Sequence, residues 1–410
     1  MPWKELSPKM HKVEFLAEWR KNDESMAELC RQFGISRKTG YKLIARWREE
    51  EEGALIEHSR APLSHPNATP EPVRQAILGL RLKHPTWGPK KLREVLARWA
   101  PHIDWPALST VGEIIAREGL VVPRRRHKSR ACPHEALPPQ GPNDQWCADY
   151  KGHFLTTNRT RCDPLTVTDS YSRMILCCAA LSPPISTHQV QEIFTHLFRK
   201  HGLPLVIKSD NGAPFGATGL GLTRLSAWWI QLGISPRRIP PGKPQKNGRH
   251  ERMHRVLKEE TTRPHPAASL AGQQKRFDAF VREYTLLRPH EALDFATPAS
   301  LYTNSPRPFP EKIAAPQYPE SAFVRRVSSK GCIRWHKEHF YLSSALCGQD
   351  VWIVPHDEEP LLSIIYYREL LGRVDLVRRW VLGPDPGALP QTPEFTALWP
   401  LQEAKESEAT

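Results

Sequence analysis

The stretch DQWCADYKG, residues 144–152, decides how the middle of this chain is read. Trp146, Cys147 and Tyr150 give it the apolar and aromatic content of a strand, Gly152 closes it, and one acid, Asp149, stands near its end. Three more segments downstream have strand character: HFLTTN (153–158), LTVTDSY (165–171) and MILCCAAL (174–181). The pattern then alternates. STHQVQEIFTHLFRKHG (186–202) reads as a helix, PLVIKSD (204–210) as a short apolar strand, and LSAWWIQLG (225–233) as a second helix. SPRRIPPGKPQKNG (235–248) reads as a Pro- and Gly-rich loop before a third helix. Strands followed by a strand–helix alternation predict a mixed sheet with helical cover.

Upstream, residues 9–50 read as three helices, with Gly34 breaking the second from a third that Ser36 caps. Arg37, Lys38, Lys42 and Arg46 surround a core stripe of Tyr41, Ile44 and Trp47, so one face packs while another meets phosphates; a helical bundle with a basic exterior is the plainer alternative. EPVRQAILGLRLKHPTWGPKKLREVLARW (71–99) and STVGEIIAREGL (109–120) form a further helical unit, read as a second helix-turn-helix with Ser109 as cap or as a spacer, and VPRRRHKSR (122–130) as a basic linker. Downstream, residues 270–303 begin helical, and short strands after NSPRPFPEK (304–312) suggest a small β-barrel. The expected modules are residues 1–56 (helix-turn-helix), 57–139 (second helical DNA-binding unit and linker), 140–305 (α/β core), 306–385 (barrel) and 386–410 (tail).

Composition agrees with a multidomain chain that meets a polyanion. The 410 residues are too many for one ordinary core, and 58 Lys+Arg against 44 Asp+Glu leave a formal charge of +14. Eight cysteines lack the spacing of a zinc ribbon or disulfide scaffold. With no leader-like N-terminus and no apolar run of spanning length, the expectation is a cytosolic protein without membrane contact.

Three acids attract attention. Asp149 lies near the end of the first strand, Asp210 ends VIKSDNG (206–212) at an Asn-Gly turn, and Glu251 lies on the third helix. Whole elements separate them, so only folding can bring them together; once together they would repel unless cations neutralised them. Hard oxygen ligands suit Mg²⁺ or Mn²⁺, and two such ions can assist both oxygens of a phosphodiester exchange. Glu251 also belongs to GRHERMH (248–254), an HExxH pattern of the zinc-peptidase kind. At about 100° per residue Glu251, His254, Arg255 and Lys258 share one face, with Met253, Val256 and Leu257 opposite. Arg249, Arg252, Arg255 and Lys258 crowd the histidine flank, and no third zinc ligand follows at the extended spacing, so the peptidase reading is disfavoured.

WCADYKG (146–152), TVTDSYSR (166–173), KSDNGAPF (208–215), GKPQKNGRHERMHRVLK (242–258) and RPHEALDFATPASLY (288–302), in that order behind a helix-turn-helix, resemble the DDE transposases of bacterial insertion sequences with a retroviral-integrase-like core. The resemblance implies an RNase H-like core in which Asp149, Asp210 and Glu251 hold two Mg²⁺ ions, and in which transposon ends are cut and joined to target DNA. It also implies terminal inverted repeats and target DNA as partners, a homo-oligomer on DNA, and a bacterial cytoplasmic, nucleoid-associated setting. The C-terminal strands are similar to the small barrels behind other transposase cores. Asp169 is read as a structural carboxylate paired with Arg173; Lys243, Lys246, Asn247, His254, Arg255 and Lys258 are candidate DNA contacts beside Glu251, as Arg37, Lys38, Lys42 and Arg46 are in the N-terminal helices. A DNA-binding regulator derived from such an enzyme is the alternative.

Overall fold

The computed structural model describes residues 8–56, 68–121, 138–150, 152–209, 220, 222–239, 248–263, 265–356 and 360–382. Asp210, Lys243, Lys246, Asn247, the basic linker and the tail therefore lie outside the described residues. The chain divides into two compact units, Met1–Thr69 and Pro70–Thr410.

In the first unit α1 (Pro8–Lys21), α2 (Met26–Gln32) and α3 (Arg37–Glu50) enclose Phe15, Leu16, Leu29, Cys30, Leu43 and Ile44. The Ser25 and Ser36 hydroxyls accept the Glu28 and Thr39 amides, and Gly34 takes φ +63° between the two helices. Tyr41 is not in the core stripe, being 59% exposed. Gly40 replaces it: a Cβ there would come within 2.6 Å of Cys30 Sγ, so the missing side chain lets α3 approach α2.

The second unit begins with α4 (Glu71–Lys83), α5 (Pro89–Trp99) and α6 (Leu108–Arg117), packed around Ile77, Trp87, Leu92, Val111 and Ile115. Ala107, not Ser109, is the α6 N-cap, and no side chain caps it. The α/β core follows as β1 (Gln145–Tyr150), β2 (Phe154–Leu155), β3 (Arg161–Asp169), β4 (Ile175–Leu181), α7 (Thr187–His201), β5 (Val206–Ser209), α8 (Arg224–Gln231), β6 (Ser235–Arg238), α9 (Gly248–Thr261), α10 (Leu270–Leu286) and α11 (Pro298–Leu301). The sheet order is β2-β3-β1-β5-β6, with β4 also on β3; β1 is antiparallel to β3 and parallel to β5. The expected mixed sheet is thus present. Ser235–Arg238, expected as loop, is instead a strand parallel to β5. Its proline is tolerated because β6 is the sheet edge, where a missing N–H costs no ladder bond.

Strand alternation sorts the side chains into two layers. Trp146 and Ala148 of β1 and Leu165 and Val167 of β3 face α7 and α8, where Phe194, Phe198 and Trp229 complete the main core. On the other face Cys162, Ile175 and Cys178 receive Met253 and Leu257 of α9 and Phe277 and Phe280 of α10. Each such large apolar side chain contributes about 1.5–3 kcal/mol by burial. This second layer lays α9 across β3.

Downstream, β7 (Phe323–Arg326), β10 (Asp350–Pro355), β11 (Leu361–Tyr366), β12 (Glu369–Asp375) and β13 (Trp380–Leu382) form an antiparallel sheet in the order β13-β12-β11-β10-β7, and β8 (Cys332–Trp335) pairs with β9 (Glu338–Tyr341) as a separate hairpin. The expected barrel is not closed among the described residues: β7 and β13 are opposite edges and do not pair. The apolar face is covered instead by the hairpin and by Leu220, Leu222, Ala227 and Ile230 of the α/β core. Among the described residues no helix is long and apolar enough to cross a membrane.

Candidate functional site

The site starts from one cross-strand pair. Asp149 of β1 stands opposite Thr166 of β3, on the face that α9 covers. The Thr166 hydroxyl donates to the Asp149 carbonyl at 3.1 Å and lies 2.7 Å from both His250 Nε2 and His254 Nε2 of α9. Thr168, two residues along the same face, holds His250 Nδ1 at 2.9 Å. One proton assignment satisfies all these bonds: Thr166 has a single hydrogen, used on Asp149, so each histidine donates its Nε2–H to it, and Thr168 donates to His250 Nδ1. His250 is 2% exposed, and burial pushes its pKa down to about 3, which keeps the ring neutral as the network requires. The rings meet edge to face at 4.5 Å. At the helix start the Arg249 guanidinium adds a bond to the Ser170 carbonyl at 3.2 Å.

The Asp149 carboxylate and ring nitrogens of His250 and His254 come within 4.8 Å of one another, a separation one metal ion could bridge. Proximity is not sufficient for zinc. Both His250 nitrogens are occupied by threonines, so coordination through either one would break a buried hydrogen bond, at a cost of about 1–3 kcal/mol. The structure thus adds a second reason, beside arginine crowding, against the zinc-peptidase reading.

His254 corrects its expected placement. Its ring is 9% exposed and bound to Thr166, so it belongs to the docking face rather than the outer face. Glu251, Arg255 and Lys258 are exposed on α9, with Glu251 next in the chain after His250. The described β1–β5 register ends at Ala148 opposite Ser209, one residue before Asp210. Asp169 is structural, but its expected partner was wrong: the carboxylate accepts the Asn143 amide (2.8 Å), the Ser172 amide (2.7 Å) and the Ser172 hydroxyl (2.6 Å), while Arg173 offers only its backbone amide to the Asp169 carbonyl. Burial raises the Asp169 pKa against the pull of these bonds. On α3, Arg37, Lys38 and Lys42 are exposed, whereas Arg46 turns to the Ile56 carbonyl (2.9 Å) and Glu50 (3.4 Å). Thr166 and Thr168 were missed from sequence, although their alternation with Leu165 and Val167 in a buried strand was a visible sign of a polar face.

Comparison with known proteins follows this geometry. Residues 139–244 and 232–298 each match an integrase core domain model, residues 11–62 a helix-turn-helix domain and residues 39–115 a homeodomain-like domain. The "Insertion element IS407 uncharacterized 31.7 kDa protein" of Burkholderia multivorans is 24% identical over 276 residues, covering 67% of this chain and 93% of that protein. An "Insertion element IS136 uncharacterized protein" of Agrobacterium fabrum is 27% identical over 163 residues, covering 38% of this chain and 80% of the relative. Among solved structures, the HTLV-2 integrase catalytic core domain in complex with magnesium aligns with 40% of this chain and 99% of its own at 15% identity and a TM-score of 0.31. Similarity to integrase core domain models thus covers residues 139–298, and similarity to helix-turn-helix and homeodomain-like models covers residues 11–115. More particularly, over 67% of its length this chain is similar to a protein of an insertion element.

Proposed function

We propose that this chain cuts the ends of a mobile DNA element and joins them to target DNA by phosphoryl transfer, with Asp149, Asp210 and Glu251 as the working carboxylates. The observation that carries the reading is the docking of α9 across β3 through His250 and His254, which brings the helix bearing Glu251 to the strand pair bearing Asp149. Asp210 follows Ser209 in the sequence, and Ser209 is the last described residue paired with β1, opposite Ala148. The donor set fits a hard cation: Asp149 is half-buried and Glu251 exposed, both oxygen ligands of the kind Mg²⁺ or Mn²⁺ prefers. Two bound ions would supply charge neutralisation at the phosphate oxygens. The protein's own part is to hold the acids on rigid elements and to grip DNA. Lys258 and Arg255 share the exposed flank with Glu251, suited to DNA phosphates at the reacting end. Arg37, Lys38 and Lys42 offer a second grip on α3. Handling two ends at once requires more than one copy on DNA.

The test uses labelled duplexes carrying the inverted repeats that flank the encoding gene, incubated with Mg²⁺ or Mn²⁺. Asp149→Asn, Asp210→Asn and Glu251→Gln should each abolish strand cleavage while DNA binding persists. Cleavage retained in all three single variants refutes the assignment, whereas DNA binding without any cleavage by the wild-type chain leaves a DNA-binding regulator as the reading.

A further inference from the structure

Away from Glu251, a group of cations gathers where α5, the turn after β3, α9 and residues 288–291 meet. Arg173 stands in that turn at φ +65°, a left-handed conformation maintained by the Asp169–Ser172 bonds. Arg249 and Arg252 act on Arg173 electrostatically, Arg252 and Arg288 act on Lys91, and Lys91, Arg173 and Arg288 all act on His290. Arg252 thus links an arc running from Arg249 to Lys91.

The acids that reach this seam are already paired. Glu260 binds Arg288, and Glu291 binds Lys90 at 3.3 Å. Lys91, Arg173, Arg249 and Arg252 have no ion pair among the described residues. Burial and the like charge of Arg288 and Arg252 lower Lys91 to about 8 against the opposing pull of Glu291 and Glu260, and burial with Arg249 and Arg252 lowers Arg173 as well. Arg288, 2% exposed, lies over the Trp87 ring at 5.8 Å and the Tyr284 ring at 5.5 Å. Trp87 Nε1, Arg288 Nε and His290 Nε2, on side chains at most 7% exposed, are buried nitrogens without a hydrogen-bond partner. These three nitrogens lie beneath the seam, and the cations at its surface, which have no ion pair among the described residues, favour an anion over a cation or an apolar ligand.

We propose that this seam docks the phosphate backbone of DNA at a distance from the bond that is cut. Four cations without an ion pair among the described residues, spread over two helices and a turn, match a chain of regularly spaced phosphates better than one small anion, which could not reach all of them. At about 100° per residue, Arg252 and Arg249 lie about 100–160° around α9 from Glu251, so the seam is separate from the carboxylate flank. It also gives the 70–121 helices a role other than presenting α6 to a groove: the α6 surface carries Glu113 paired with Arg117, and Glu118 paired with Arg74. The inference rests on the DNA reading above, though not on its chemistry.

The experiment measures binding of full-length protein to a fluorescent duplex of arbitrary sequence across a salt series. The triple variant Lys91→Gln, Arg173→Asn, Arg252→Gln uses Asn at 173 because it tolerates the left-handed backbone. Its slope of log affinity against log salt should be shallower than wild type by about 2–3, at about 0.9 per phosphate contact. The control Lys200→Gln, Lys275→Gln, Arg282→Gln carries the same net charge and should keep the wild-type slope. A charge-preserving Lys91→Arg, Arg173→Lys, Arg252→Lys variant disturbs packing equally and should also keep it. An unchanged slope in the first triple, or equal losses in either companion variant, overturns the proposal. Asp149→Asn keeps the seam intact, so its full binding slope with or without cleavage separates the failure of this inference from failure of the proposed chemistry.

Discussion

Thr166→Val removes one hydroxyl and little volume, yet that hydroxyl is the meeting point of β1, β3 and α9. It donates to the Asp149 carbonyl at 3.1 Å and receives His250 and His254 at 2.7 Å each. Valine fills the same space and leaves two buried imidazole N–H groups unmet, each costing about 1–3 kcal/mol, with about 1 kcal/mol returned by the added methyl. The expected local loss is about 1–5 kcal/mol, centred near 3 kcal/mol. Hydrogen exchange of the α9 amides, followed by mass spectrometry on the full chain, reads this directly: at about 1.36 kcal/mol per decade, α9 should open about 150-fold more readily at the centre of that range. Thr166→Ser keeps the hydroxyl, loses one methyl at about 1 kcal/mol, and should accelerate exchange only about fivefold. Strand cleavage should follow the same order, because α9 carries Glu251. Equal exchange in the Val and Ser variants, or no change in either, would refute the hub.

Three further outcomes are expected. Burial, then the cations Lys91, Arg173 and Arg288, push His290 down to about 3, so below about pH 6.5 the unfolded chain binds a proton that the folded chain refuses; stability present above that pH is lost as pH falls toward 3, at about 1.4 kcal/mol per unit. His290→Asn should flatten the drop in urea midpoint between about pH 7 and pH 5, and an unchanged drop would count against this account. Gly40→Ala places a Cβ 2.6 Å from Cys30 Sγ and 3.1 Å from Phe15 Cζ, and thermal unfolding of the helix-turn-helix unit should show a loss of about 1–3 kcal/mol; a neutral result means that α2 can yield. Chelation should stop strand cleavage without releasing DNA, with Mg²⁺ or Mn²⁺ restoring it, whereas stoichiometric tightly bound zinc would point to the histidines instead.

Local signals were legible where the chain repeats its own geometry. Ser36 and Gly34 mark the helix-turn-helix, and the apolar, β-branched and aromatic content of LTVTDSY and MILCCAAL marks the paired strands, because caps and strand composition are local properties of the sequence. The Tyr41 error has the same origin: glycine carries no hydrophobic signal, so Gly40 as the point of helix contact was invisible until α2 stood against it. Residues 235–238 looked like loop because of their proline and arginines, and only an available edge beside β5 made them a strand. The barrel failed for a related reason, since strand pattern does not say whether the last edge meets the first.

By itself, the sequence determined an order of elements and a spacing of acids, and with them an α/β core behind DNA-binding helices. Tertiary structure decided which side chains share a face. It moved His254 from the DNA side to the docking side, exchanged the Asp169–Arg173 pair for a turn that leaves Arg173 among cations, and made Thr166 the joint between the strand of Asp149 and the helix of Glu251. The physical reason is that a hydrogen bond between residues eighty positions apart depends on how two layers pack, and no local periodicity encodes that distance.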